Sequence, residues 1–382
     1  MENKTCKLKD KCGACQLLHL SYPDTIEYKK NYVLDCMKKE GIKASIDKTI
    51  PAKFPYAYRN KMIIGFQMDK NHKLNCGFYE ENSHKIIDLD ECLMHSAIQN
   101  KIAKFIKKLV IDFKVSIYDE DRRRGLLRYV LIREAIHTNE ILITFVLSDD
   151  IFPSSKEIVK RITSEFKEVK TIVQNINNRK TSIVLGEKEK ILYGKGYIED
   201  LLIGLRFKIT SKSFYQVNPI QVEHLYKEVI NALKFDGTET IIDAYSGIGT
   251  IGLILSKNVG RVISVENNRQ AYLAAIQNAK DNNIRNVHFV NADATEFIKE
   301  IENEKIDYVI MDPPRTGSTN QFLNSLLKLQ PKGIIYVSCG PDTLARDLKV
   351  LLSKYKIEHI SLVDMFCFTK HVESITTLTL KN

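Results

Sequence analysis

Ile241-Ile242-Asp243-Ala244-Tyr245-Ser246-Gly247-Ile248-Gly249-Thr250-Ile251-Gly252 passes from an apolar strand pattern through a glycine-rich turn into a helical pattern. Residues 247–252 fit G-x-G-x-x-G in the strand–turn–helix setting that the motif requires. Glycines there let the backbone approach a ligand closely, and an acid ending the next strand reaches ribose hydroxyls. Glu266, 19 positions past Gly247, is placed to be that acid. The signature fixes a nucleoside ligand and leaves NAD and S-adenosylmethionine open.

Outward from this loop, residues 235–382 alternate strand-like and helical patterns. The strand-like runs are 239–244, 261–266, 287–291, 306–311, 334–338, 359–365 and 374–380. Helical patterns such as 271–281 and 343–355 lie between the first six; the second puts Leu344, Leu348, Leu351 and Leu352 on one face. Repeated βα units predict an α/β, Rossmann-like, seven-stranded, mostly parallel sheet. No helix separates the last two runs, so they read as a hairpin with the final strand antiparallel. That ending separates methyltransferase-like sheets from an ordinary dinucleotide fold.

Two more strand ends carry chemistry: Met311-Asp312-Pro313-Pro314-Arg315 and Tyr336-Val337-Ser338-Cys339-Gly340-Pro341. Open α/β sheets bind ligands beyond the carboxyl ends of their strands, so all three loops are expected at one crevice. A free Cys is usually a small buried hydrophobe. Cys339 instead follows a strand and precedes Gly-Pro, where a thiolate serves as a nucleophile. Glu373, in Lys370-His371-Val372-Glu373-Ser374, is placed to be a general base or a rim ion-pair partner. Asp293 follows the third strand and fits either an adenine amine contact or a helix cap.

The first half reads differently. Residues 21–40 are helical in pattern, and 50–210 are mainly β, as in 125–135 and 141–147, with helix candidates at 101–109 and 155–166. The expected organisation is 1–17 with 50–210 as one domain, 18–49 as a helical segment on the other, and 211–382 as the nucleoside-binding domain. Cys6, Cys12 and Cys15 have metal-ligand spacing, and Cys36, Cys76 and Cys92 are candidates for the fourth position. Cys36 fits a packed helix face; Cys92, in Asp90-Glu91-Cys92-Leu93-Met94-His95, is the better candidate. Four thiolates suit zinc or an iron–sulfur cluster.

Composition bounds the partners. The 382 residues are 44% hydrophobic with net charge +10. Residues before 206 carry 36 Lys+Arg against 28 Asp+Glu, and later residues carry 21 against 19. Excess positive charge in the first half favours a polyanion such as nucleic acid. No run reaches the roughly 18 apolar residues of a membrane span. The N-terminus shows no apolar export segment. The expectation is a cytoplasmic, monomeric protein whose cysteines serve metal or catalysis.

Together these residues resemble the RNA uracil-5-methyltransferase family, in its iron–sulfur branch acting on 23S ribosomal RNA. The resemblance also takes in Tyr58-Arg59-Asn60-Lys61 and Phe214-Tyr215-Gln216-Val217-Asn218. It implies Cys339 as nucleophile and Glu373 as base. It implies S-adenosylmethionine contacts at Gln216, Tyr245, Glu266 and Asp312, with Gly247 and Asp293 joined to them from the loop and strand-end reading above, and [4Fe–4S] ligands at Cys6, Cys12, Cys15 and Cys92. Ser246 stands where the family has Cys, and Gly340 where it has Asn. RNA is expected on the central β region, at Arg122-Arg123-Arg124, at Arg128 and Arg133 with Tyr129, and at Arg59 and Lys61. A transfer-RNA enzyme of the same chemistry and an NAD-dependent oxidoreductase are the alternatives.

Overall fold

The computed structural model describes residues 4–180, 183–301 and 304–381. The chain forms two compact units. One contains Leu20–Lys53, Leu202–Arg206 and the chain from Phe214 onward; the other contains the N-terminal stretch to His19, Phe54–Leu201 and Phe207–Ser213.

The unit with the glycine loop is built on one sheet. Its strand order is Lys48–Ile50, Tyr355–Val363, Glu373–Leu380, Gly333–Ser338, Tyr308–Met311, Thr240–Ala244, Arg261–Val265, Val287–Val290. Glu373–Leu380 runs antiparallel between Gly333–Ser338 and Tyr355–Val363. The sheet has eight strands, one more than the seven expected. The added strand, Lys48–Ile50, pairs parallel with Tyr355–Val363. Three residues give too short a run for alternation to register, and the partner is over 300 positions away.

The helix Tyr22–Lys39 belongs to this unit and is opened by Ser21, whose side chain accepts from the Asp24 amide. Lys29 inside it is 2% exposed, and its Nζ meets Asp364 Oδ1 at 2.5 Å and the Phe366 carbonyl at 2.9 Å. A buried lysine persists only with such a partner. The helix Pro341–Leu351 starts two residues earlier than expected because Pro is suited to the first helical turn. Its Leu344, Leu348 and Leu351 join the core under the sheet.

The other unit is a seven-stranded sheet in the order Ile86–Asp88, Leu74–Tyr79, Lys61–Met68, Leu127–Ala135, Glu140–Leu147, Val169–Ile176, Lys188–Tyr193. Neighbours are antiparallel except Glu140–Leu147 with Val169–Ile176, which the helix Ser155–Glu165 connects. The helix Ala97–Asp112 is longer than the expected 101–109, because a capping box of Ser96 and Gln99 starts it sooner. Both helices bury apolar faces in one core. Among the described residues no helix is long and apolar enough to cross a membrane.

Candidate active site and cysteine cluster

In the eight-stranded unit the glycine loop turns tightly. Gly247 and Gly249 have φ of 58° and 81°. A Cβ on Gly247 would meet nothing within 4 Å, so open space faces the loop there. Gly252 matters for a different reason. Its amide donates to Asp243 Oδ2 at 2.8 Å, and a Cβ would sit 2.7 Å from that oxygen. Glu266 Oε2 accepts from the Gly247 amide at 2.8 Å, and Oε1 from Asn268 at 2.6 Å. The acid expected on ribose therefore also shapes the loop. Asp293 accepts from the Thr295 amide at 2.8 Å and caps the helix Ala294–Glu300.

Tyr245 has φ 63°, a left-handed conformation that is costly for an aromatic residue. Its hydroxyl lies 3.0 Å from Ser318 Oγ, and its ring lies 5.5 Å from Phe322. Ser318 is fixed in turn, because Asp347 Oδ2 accepts from its amide at 2.8 Å. Asp347 is fully buried and also accepts from the Tyr336 hydroxyl at 2.7 Å and from Arg346 Nε at 2.8 Å. Arg346 Nη2 donates to the carbonyls of Thr316 and Ser318 at 3.0 and 3.1 Å. This network ties the glycine loop to the Pro-Pro turn, and no sequence motif announces it.

Asp312, Arg315, Cys339 and Glu373 form one interacting group. Burial pushes the Cys339 thiol up to about 11; the acids Glu373 and Asp312 add to this, and Arg315, hydrogen-bonded to the thiol, opposes it. Burial raises the Glu373 carboxyl well above the usual range, Asp312 raises it further, and Arg315 opposes. Burial alone lifts Asp312 to about 7. Asp243, 1% exposed, is lifted by burial to about 7, with the Gly252 amide opposing and Asp312 and Glu266 adding. Tyr226, raised by burial, senses Asp312, Asp243 and Glu373, and its hydroxyl donates to Thr250 Oγ1 at 3.2 Å. Buried acids gathered this way disfavour one another's ionisation, and a cation among them would offset that.

Gly340 has an extended backbone, φ −127°. Space is what restricts it. A Cβ there would lie 2.7 Å from Thr343 Oγ1 and 3.1 Å from the Arg315 carbonyl. The Thr343 hydroxyl donates to the carbonyls of Gly340 and Arg315 at 3.0 and 3.1 Å, and so holds the Arg315 turn against the Cys339 turn. Gln216 is half-buried between exposed Phe214 and buried Asn218. Asn218 Nδ2 donates to the Met365 carbonyl at 3.1 Å, in the loop leading to Glu373.

In the seven-stranded unit, Cys6, Cys12, Cys15 and Cys92 come into mutual range. Burial raises Cys15 to about 12, with Cys92, Cys12 and Cys6 adding. Burial raises Cys92 to about 11, with Cys12 adding. Arg59 opposes both. Cys12 bridges to Glu80, and Ala57 and Arg59 donate to the carbonyls of Leu93 and Met94 at 2.8 and 2.9 Å. Asn100 Oδ1 accepts from the Cys92 amide at 2.9 Å, and Nδ2 donates to the Cys92 carbonyl at 3.1 Å. Among the described residues no three His, Cys, Asp or Glu side chains converge tightly enough to hold a single metal ion. The four-cysteine metal site expected from the sequence is therefore not shown by this geometry. Cys36 and Cys76 are buried in the two cores and stand apart from this set.

The expected basic surface needs correction. Arg122, Arg123 and Arg124 are exposed at a turn. Arg128, Arg133 and Tyr129 are buried, at 5%, 5% and 8% exposure. Arg128 Nη1 donates to the carbonyls of Asn177 and Arg179 at 2.8 and 3.0 Å, and its guanidinium lies 4.7 Å from the Tyr118 ring centre. Arg133 Nη2 donates to the carbonyls of Ser211 and Ser213 at 3.2 and 2.6 Å. The strand Leu127–Ala135 is covered on both faces, so its two arginines turn to carbonyls and Tyr129 to Glu120.

Known proteins resemble this chain along nearly its whole length. A family model described as tRNA (uracil-5-)-methyltransferase matches residues 54–381. A protein of Clostridium tetani described as an uncharacterized RNA methyltransferase is 40% identical, over 98% of this chain and 82% of its own. A protein of Halalkalibacterium halodurans with the same description is 37% identical, over 99% of this chain and 83% of its own. The solved tRNA (uracil-54, C5)-methyltransferase of Pyrococcus abyssi, in complex with S-adenosyl-L-homocysteine, superposes with a TM-score of 0.81 at 28% identity. That match covers 98% of this chain and 87% of the other.

Proposed function

The chain belongs to the RNA (uracil-5-)-methyltransferase family, and from that premise we propose that it methylates carbon 5 of a uridine in 23S ribosomal RNA. The observation carrying the chemistry is the meeting of Cys339, Glu373, Asp312 and Arg315 at the sheet edge that also bears the glycine loop.

S-adenosylmethionine, when bound, supplies the methyl group and a sulfonium cation. The cofactor contacts proposed are Gln216, Tyr245, Gly247, Glu266, Asp293 and Asp312. Glu266 and Gly247 present a carboxylate and open space at the loop, as ribose binding needs. Positive charge entering the crevice favours the ionised forms of Asp312, Glu373 and Cys339, which burial alone disfavours.

Uracil carbon 5 is a weak nucleophile. Addition of the Cys339 thiolate to carbon 6 forms an S–C bond and pushes an electron pair toward carbon 5, which takes the methyl group. Glu373, as carboxylate, removes the carbon-5 proton. The electron pair released re-forms the 5,6 double bond and expels the Cys339 thiolate. Arg315, hydrogen-bonded to the thiol, stabilises the thiolate before attack and after elimination. The target base must be unstacked to reach such a pocket.

Cys6, Cys12, Cys15 and Cys92 are proposed to hold a [4Fe–4S] cluster that ties the N-terminal stretch to the Cys92 loop. The four-cysteine set supports ribosomal RNA as substrate. Transfer RNA is the second reading, favoured by the likeness to the Pyrococcus abyssi enzyme. Mapping 5-methyluridine in ribosomal and transfer RNA from a deletion strain separates the two: loss from 23S RNA supports the proposal, and loss from transfer RNA alone overturns its substrate. Cys339→Ala should keep cofactor binding and lose turnover. The wild type should form a covalent adduct with 5-fluorouridine RNA. Near-normal methylation by the variant removes the covalent mechanism.

A further inference from the structure

Among the described residues, no Asp or Glu acts on Arg59, Lys61 or Arg133 of the seven-stranded unit. Lys61 and Arg133 stand directly opposite in the antiparallel register of Lys61–Met68 and Leu127–Ala135. Like charges opposed across a strand pair are destabilising. Arg59 lies two positions before Lys61 and adds to the same field. Arg133 is 5% exposed and locked by the Ser211 and Ser213 carbonyls, while its Nε has no partner. Lys61 is half-buried. Among the described residues neither pairs with a carboxylate.

Each neighbouring group fails to supply the missing charge. Glu134, next to Arg133 in sequence, accepts from the Ser96 hydroxyl at 2.5 Å and acts on neither Lys61 nor Arg133. His95 Nε2 lies 3.1 Å from the Lys61 carbonyl, and burial lowers this ring to about 3, so it is neutral. Cys15 and Cys92 interact with Arg59 and not with Lys61 or Arg133. An anionic cluster on the cysteines would therefore balance Arg59 and leave the opposed pair unbalanced. Burial first, then Arg133 and Arg59, together lower Lys61 to about 8. Burial alone lowers Arg133 to about 10.

We propose that Lys61, backed by Arg133, is a phosphate site that takes one backbone phosphodiester of single-stranded RNA. Lys61 makes the contact, and Arg133 sets the field behind it. The inference deepens the RNA reading above and rests on it for the choice of phosphate over other anions. It also explains a cation pair that lowers stability when nothing is bound: the anion offsets the repulsion.

The test uses the full chain and a fluorescent uridine-rich oligoribonucleotide, titrated at several salt concentrations and from pH 7 to pH 9.5. Lys61→Met should bind more weakly, with a slope of log affinity against log salt shallower by about 0.7, the value for one phosphate neutralised on a single strand. Because phosphate favours the charged amine, wild-type affinity should fall as pH rises above about 8, approaching tenfold per unit for one proton taken up. Lys61→Arg should keep the affinity and lose this pH dependence, since guanidinium stays charged. Melting curves of both variants report folding separately. A Lys61→Met protein with wild-type slope and pH profile overturns the site, and so does failure of Lys61→Arg to restore binding. Methylation is scored apart: a wild type that binds the oligonucleotide but methylates no RNA overturns the proposed function and leaves the titration to decide the site.

Discussion

Asp243→Asn should stabilise the ligand-free protein above neutral pH and leave it unchanged in acid. Asp243 is 1% exposed, and burial lifts it from 3.8 to about 7. A carboxyl raised in the fold contributes stability that is fully present below the unfolded value. That stability is lost as pH rises toward the folded value, because the unfolded chain ionises first. The window is therefore about pH 4 to 7. Raising this carboxyl from 3.8 to about 7 is worth roughly 4 kcal/mol. The Gly252 amide, 2.8 Å from Oδ2, gives up a charged acceptor but keeps the Asn carbonyl. The amide's preference for the charged form is already contained in the value of about 7, so the gain at pH 8 is about 4 kcal/mol. For a domain of this size the gain corresponds to a melting temperature roughly 8–16 °C higher. Calorimetric melts of both proteins at pH 4, 5, 6, 7 and 8 provide the check. A difference that is constant across this range, or a variant less stable at pH 8, refutes the assignment of Asp243 as a carboxyl whose ionisation the fold resists.

Glu373→Gln should still form the methylated covalent adduct and release it slowly, so that a protein–RNA species accumulates on a denaturing gel; absence of adduct would give Glu373 an earlier role. Protein purified without oxygen should be brown and carry about four irons per chain; stoichiometric zinc without iron would replace the cluster. Replacing exposed Arg122, Arg123 and Arg124 together by Ala should weaken RNA binding and flatten its salt slope by about 0.7 for each phosphate no longer neutralised, with cofactor affinity unchanged; an unaltered slope would mark the run as solvated surface.

The basic residues show where sequence reading stops. Arg122–124 and Arg128 look alike as letters in one basic stretch. The fold puts the first three on a turn in water and sends Arg128 inward to the Asn177 and Arg179 carbonyls. Which arginine is buried depends on strand register and on a loop about 50 positions away, and neither leaves a local signature. The Asp347–Ser318–Tyr245 connection is hidden for the same reason, since its members come from separate loops and a helix. Gly340 gains its meaning only from Thr343, whose hydroxyl fills the place a side chain would need.

The α/β succession from residue 239 onward is written in the amino-acid order alone, because strand and helix periods are local and each unit is closed by its own glycine, Pro-Pro or Gly-Pro turn. So is the identity of the strand ends that carry a thiol, an acid and a glycine loop. Folding in three dimensions was needed to make Lys48–Ile50 an eighth strand and to set Gly252 against Asp243. It was needed, too, to set Lys61 directly opposite Arg133. The difference is one of range: hydrogen-bonding periodicity is written within about ten residues of chain, whereas burial and the meeting of charges depend on which distant segments the fold packs together.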